Sequence, residues 1–298
     1  MSPAPMRIAC VGVGAIGGAL AASLAAQGRH ELVLCVRQPF ERLVVESPAR
    51  RIDVALRCET DPARVGPADW VLLATKAHEV PGAAKWLAEL GRPGAVIAVV
   101  QNGVEQRARV TPFAGEAEVL PVVVELPAER TAPGRVRMRA GGRLTVPAGP
   151  AGQAFAALFA DTGFPVEVTP DFTTAAWRKL CLNAASGALC AATARPIEVL
   201  HEPGMAELAL GLMRECLAVA RAEGAALGDE VADEILARCL ALPSGSGNSM
   251  LYDRRAGRPL ELDARNGAIV RIGARHGIAT PLNGALCALL AALPKGET

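Results

Sequence analysis

Lys179 and Asn183 stand four residues apart in "WRKLCLNAASG", a spacing that puts both on one face of a helix. An ammonium can give a proton to a developing alkoxide, and a neighbouring amide can fix a carbonyl or the amine by hydrogen bonding. Farther along, the polar loop "SGSGNSMLYD" carries Ser249. Its hydroxyl, with free backbone N–H groups at a helix start, would suit a substrate carboxylate. "RPLELDARNG" adds Glu261 and Asp263, and Glu261 could pair with Lys179 or hold a substrate hydroxyl. Each residue also has a plainer reading. Lys179 could snorkel from an amphipathic helix, Ser249 could be only a helix cap, and Glu261 only a carboxylate favoured by a helix N-terminus.

A second group lies near the start of the chain. Gly12-x-Gly14-x-x-Gly17 follows the apolar run "MRIACV" and opens an alanine- and leucine-rich helix. In this setting the first glycine makes a tight turn, the second lets a pyrophosphate approach the backbone, and the third lets helix and strand pack. Gly12, Gly14, Ala15, Ile16 and Gly17 are therefore the expected dinucleotide contacts. The next strand ends "LCVRQPF", so Arg37 stands where an NAD site usually has an acid. A guanidinium there favours a 2′-phosphate, and the cofactor expected is NADPH/NADP. Arg42 could assist. Lys76 in "ATKAHE" and Asn102 in "VVQNGVEQ" end later strands, and in parallel sheets ligands lie at those ends. Both could instead be an ordinary helix-leading lysine and an Asn-Gly turn.

The elements needed to position these residues follow from pattern. "ELVLCV" (31–36), "DWVLLAT" (69–75) and "AVIAVV" (95–100) read as buried strands, with "HEVPGAAKWLAEL" a helix between the last two. Alternating strands and helices predict an α/β fold with an N-terminal Rossmann-type doubly wound sheet. Short strands over "AEVLPVVVELP", "GRVRMRA" and "GRLTVPA", a helix and one last strand in "FPVEVTP" complete this part. After Pro170 strand signals stop, and residues 172–195, 204–227, 229–242, 261–276 and 281–293 read as helices. The expected division is an NADP-binding domain over 1–170 and an all-helical substrate and catalytic domain over 171–298.

Composition limits the classes. The 298 residues are 51% hydrophobic and 20% charged with net charge +1. That permits a large core and gives no electrostatic case for nucleic acid or a membrane surface. There is no signal-peptide pattern and no apolar run of about 18 residues, so a cytoplasmic, non-membrane protein is expected. The eight cysteines form no C-x-x-C pair and no His–Cys cluster of zinc spacing, so no metal is expected and the thiols read as buried and reduced. A small-molecule substrate is the expected partner. The helix at 204–227 could pack internally or across a homodimer.

Taken together, these segments resemble the ketopantoate reductase (2-dehydropantoate 2-reductase) family. The resemblance rests on "GVGAIGG", Arg37, "TKAHE", "QNGVEQ", "WRKLCLN" and "NSMLYDRRAGRPLELDARNGAIVRIGARHGIATPLN", in family order over nearly the whole chain. It implies NADPH-dependent reduction of a 2-oxo acid, most directly 2-dehydropantoate to pantoate. By resemblance Lys179 is the general acid at the C2 oxygen, Asn183 orients the substrate, and Ser249 binds its carboxylate. Glu261 contacts the substrate hydroxyl or the lysine, Asn102 lies near nicotinamide and substrate, and Lys76 near ribose or substrate. The chain departs from the family at Gly187–Ala188, where an Asn-Pro is usual, and at "RPIEVL", which replaces an amide-bearing turn. Two alternatives therefore stay open: a reductase of another small ketone or imine, and an NADPH-binding sensor without turnover.

Overall fold

The computed structural model describes residues 5–293. The chain forms two compact units. One comprises residues up to 101 together with 106–172, the other 102–105 with the chain from 173 onward.

In the first unit, β1 (Arg7–Val11), β2 (Glu31–Cys35), β5 (Arg57–Glu59), β6 (Trp70–Leu73), β7 (Val96–Val99) and β8 (Glu118–Pro121) form a sheet in the order β5-β2-β1-β6-β7-β8. Every pairing in it is parallel. All four residues of β6 are buried, as a strand covered on both faces requires. Chain order reverses direction between β1 and β6, and ligands of open α/β sheets bind beside such a point. Helix α1 (Ala15–Ala25) follows β1, and α2 (Ala84–Leu90), α3 (Gln106–Val110) and α4 (Pro150–Leu158) complete the helices of this unit.

The remaining strands are β3 (Leu43–Glu46), β4 (Arg51–Val54), β9 (Val123–Glu125), β10 (Ala128–Ala132), β11 (Arg135–Met138), β12 (Arg143–Pro147) and β13 (Val166–Thr169). They build two small sheets, β10-β11-β3-β4 and β13-β12-β9. Strands β3, β4 and β5 have no counterpart in the sequence reading. They are only three or four residues long; β4 and β5 mix apolar with charged residues, and the three apolar residues of β3 are too short a run to mark a strand by themselves. The helix expected from His78 to Leu90 is also shorter. Two 3₁₀ turns, Ala77–Glu79 and Pro81–Ala83, precede α2, because Pro81 has no N–H to continue a helical ladder.

The second unit is helical among the described residues: α5 (Phe172–Leu182, its first residue counted with the other unit), α6 (Ala188–Thr193), α7 (Met205–Ala222), α8 (Glu230–Leu240), α9 (Ser249–Arg255), α10 (Asn266–Arg275) and α11 (Pro281–Ala291). Its core includes Trp177, Leu180, Leu212, Met213, Cys216, Leu217 and Ile269. The helix expected over 172–195 is not uniform. A π-helical turn, Asn183–Gly187, separates α5 from α6. A π turn withdraws carbonyls from the ordinary i to i+4 pattern, and here side chains satisfy them. Ser186 Oγ donates to Leu182 O (2.7 Å), Asn266 Nδ2 to Ala184 O (2.9 Å) and Asn248 Nδ2 to Ser186 O (3.0 Å).

The helix expected over 261–276 begins at Asn266, and residues 262–265 form a turn before it. Asn266 also donates to Asn283 Oδ1 (2.9 Å), and Asn283 Nδ2 donates to Glu215 Oε2 (2.7 Å) and Leu212 O (3.2 Å). Glu215 accepts from the backbone N–H groups of Leu282 and Asn283, capping α11 from α7. These buried amides join the π turn to α7, α10 and α11.

Candidate active site

The glycine turn is built by backbone. Gly12 has φ +92°, and a Cβ placed there would lie 2.7 Å from Thr75 N. A Cβ on Gly17 would meet Gly12 O at 2.1 Å, so only glycine lets the start of α1 fold back on the turn. Gly14 differs, since a Cβ there meets nothing within 4 Å. Packing within the protein does not require this glycine, whereas close approach of a pyrophosphate does. No side chain caps α1 at Gly14 and no acid occupies its first turn. The N–H groups of an 11-residue helix thus face outward with a favourable dipole for an anion. These features fit a dinucleotide. Cys10 Sγ lies 3.6 Å from Gly17 O, and burial pushes its thiol up to about 12, so it remains uncharged beside the turn.

Arg37 follows the end of β2, and its guanidinium is 3.3 Å from Glu79 Oε1. The Arg37 side chain is 89% exposed, so the pair is weak and readily exchanged for another anion. Lys76 precedes the 3₁₀ turn, and its backbone N–H donates to Glu79 Oε2 (3.1 Å). The structure thus brings Arg37, Lys76 and Glu79 together at the carboxyl ends of β2 and β6. Arg42 is engaged elsewhere, with Nε 2.5 Å from Asp53 Oδ1, so it is not part of this cluster.

The second cluster lies within the helical unit. Lys179 is half-buried on α5, one turn before Asn183 at the first π-helical position. Asn183 Nδ2 donates to Asn102 Oδ1 (3.3 Å), and Asn102 Nδ2 donates to Glu261 Oε2 (2.9 Å). Glu261 is 3% exposed and accepts from Arg265 Nη2 (3.2 Å). The same Nη2 donates to Ser249 Oγ (2.8 Å). Asn183, Asn102, Glu261, Arg265 and Ser249 thus form one hydrogen-bonded series drawn from four distant segments.

Asn102 reaches this series because its loop packs on the turn before α10. Gly103 has φ +103°, and a Cβ on it would lie 2.7 Å from Ala264 O. Arg271 then holds the loop, donating to Glu105 Oε2 (2.6 Å) and Asp263 Oδ1 (2.8 Å).

The structure decides against reading Ser249 as only a helix cap. The cap of α9 is Asn248, whose Oδ1 accepts from Leu251 N (3.1 Å), and Ser249 is the first helical residue. Asn248 thereby does two jobs, capping α9 and serving the π turn. Arg265 was missed altogether, although it follows Glu261 by four residues, a usual ion-pair spacing. Its flanking residues read as one amphipathic helix, which hid it. All eight cysteines are free and six are buried. Among the described residues no group of three His, Cys, Asp or Glu side chains could hold a metal ion, and no helix is long and apolar enough to cross a membrane.

Residues 8–151 match the family described as "Ketopantoate reductase PanE/ApbA", and residues 171–294 match "Ketopantoate reductase PanE/ApbA C terminal". A curated 2-dehydropantoate 2-reductase of Caulobacter vibrioides is 49% identical over 286 residues, covering 95% of this chain and 97% of its own. One from Mycobacterium tuberculosis is 43% identical over 97% of this chain and 98% of its own. The crystal structure of a PanE/ApbA family ketopantoate reductase from Ralstonia eutropha superposes with a TM-score of 0.88 at 35% identity, covering 96% of this chain and 97% of that one.

Proposed function

Because this chain belongs to the ketopantoate reductase family, oxidoreductases acting on CH–OH groups with NADP, we propose that it reduces 2-dehydropantoate to pantoate using NADPH, with Lys179 as general acid. The observation that carries the reading is the series Asn183–Asn102–Glu261–Arg265–Ser249 beginning one helical turn from Lys179. It gathers a proton donor, two amides, a buried carboxylate and a hydroxyl in one unit, the set that reduction of a 2-oxo acid needs. When bound, the reduced nicotinamide supplies the hydride that adds to the 2-oxo carbon.

The chain's own residues manage the charge that develops. As the carbonyl carbon gains its new C–H bond, its oxygen becomes an alkoxide, and the Lys179 ammonium gives it a proton. Asn183 orients that oxygen while Asn102 and Glu261 hold the amide in register. Glu261 accepts the substrate hydroxyl, and the Ser249 hydroxyl donates to the substrate carboxylate. In the other unit, the turn from Gly12 to Gly17 takes the pyrophosphate, Arg37 the 2′-phosphate, and Lys76 the region of the ribose.

The test is NADPH oxidation against 2-dehydropantoate and a panel of other 2-oxo acids, ketones and imines, repeated with NADH. Turnover of 2-dehydropantoate that collapses in Lys179→Ala supports the reading. Tight NADPH binding with no turnover of any carbonyl compound would replace it with a sensor. A second reading, a different small ketone or imine, is favoured by Gly187–Ala188, where the Asn-Pro usual in the family is absent. The same panel decides between them.

A further inference from the structure

Arg265 is 1% exposed, the largest of the fully buried side chains. Its hydrogen bonds to Glu261 and Ser249 both leave from Nη2. Nε is buried with no hydrogen-bond partner. Nη1 lies against the π turn, and a Cβ on Gly187 would come within 3.0 Å of it. A guanidinium placed only to stabilise the fold would meet its carboxylate through two parallel bonds. Here a buried cation leaves its Nε donor unspent, and apolar packing of similar volume is often at least as stable as such a buried pair. Stability therefore does not explain it.

The bond to Ser249 suggests what does. Because Ser249 Oγ accepts from Nη2, the serine's single proton is turned away from Arg265. Ser249 is exposed, so this O–H is left to donate to solvent or to a ligand acceptor, with the Arg265 guanidinium behind it. We infer that Arg265 is a positioning and specificity residue. Through Ser249 and its own charge it selects a carboxylate-bearing substrate over an uncharged one, and Gly187 is the residue that gives it room. The inference rests on the proposed reduction of a 2-oxo acid and adds the element of the site that demands the acid group.

The experiment compares 2-dehydropantoate with its primary amide, which keeps the reacting carbonyl and removes the charge. With Arg265→Met, KM for the acid should rise about 10- to 100-fold, the range for losing a charge-assisted interaction. The KM for the amide and kcat for both should change far less, so the preference for the acid disappears. Arg265→Lys should restore part of it. Parallel losses on acid and amide, or an unchanged preference, would overturn the inference and leave Arg265 as a support for Glu261.

If Arg265→Met does not fold, Gly187→Ala decides, since its methyl displaces Nη1 and leaves the arginine in place. A rise in KM confined to the acid supports the inference, and no acid-specific change overturns it. If the wild-type protein reduces neither compound, the reduction reading has failed by itself. Calorimetry with pantoate and pantoate's primary amide on the NADP-loaded protein then tests Arg265 separately. Tighter binding of the acid that is lost in the variant supports the role, and equal binding by the wild type ends it.

Discussion

The turn from Gly12 to Gly17 and the series around Glu261 are built in opposite ways. The first is one continuous stretch whose proposed function lies in backbone N–H groups, and its demands are negative: a Cβ on Gly12 or Gly17 would collide. The second consists of side chains from residues 102, 183, 249 and 261–265, held by hydrogen bonds that span up to 159 positions of sequence. The backbone site tolerates change in its surroundings but not in its glycines. The side-chain site, by the proposed reading, should fail when a contributor, or the scaffold that aims it, is altered. Differences in substrate are thus expected in the second region and differences in nucleotide in the first.

Perturbing the two regions should give separable effects. Lys179→Ala should lower kcat about 10²- to 10⁴-fold while NADPH affinity, measured by fluorescence titration, stays near wild type. Loss of nucleotide binding in this variant would blur the division. Next in size, Glu261→Ala removes one partner of a buried ion pair and leaves Arg265 uncompensated. A loss of about 3–5 kcal/mol in urea denaturation is expected, and a stability within about 1 kcal/mol of wild type, roughly a fivefold change in the folding equilibrium, would show that Arg265 does not depend on Glu261 for compensation.

In the backbone region, Arg37→Ala should weaken NADPH about 10- to 100-fold and NADH little. Equal effects on both nucleotides would remove the 2′-phosphate from the account. The smallest change is expected for Arg271→Ala. Its side chain is 40% exposed, so stability should fall only by about 0.2–1 kcal/mol. Because Arg271 holds the loop that carries Asn102, kcat should nevertheless drop measurably, and an unaltered kcat would mean that Gly103 and Ala264 alone place Asn102.

Legibility in the sequence followed the same division. The strand–turn–helix around Gly12 was readable because every requirement is local, and helical spacing put Lys179 and Asn183 on one face. Strands β3, β4 and β5 were not readable, since each is only three or four residues long and none has more than three consecutive apolar residues. The π turn also left no trace, because Asn248 and Ser186, which satisfy its carbonyls, look like ordinary polar residues. Sequence alone left Ser249 open as a cap beside its substrate reading, because Asn248 and Ser249 are both good capping residues one position apart.

What the sequence determined by itself was the set of local choices: the glycine turn, the alternation that builds the parallel sheet, the helical spacing of the later residues, and the identities of a lysine, two asparagines, a serine and a glutamate. Tertiary structure alone decided which of these meet. Gly103 lets a loop from the region of the sheet lie on Ala264, Asn266 and Asn283 tie the π turn to its neighbours, and Arg265 comes to stand between Glu261 and Ser249. The physical reason is range. Steric and helical preferences act over a few residues and are written in order along the chain. A buried charge, by contrast, is tolerable only where folding brings its partners from distant positions.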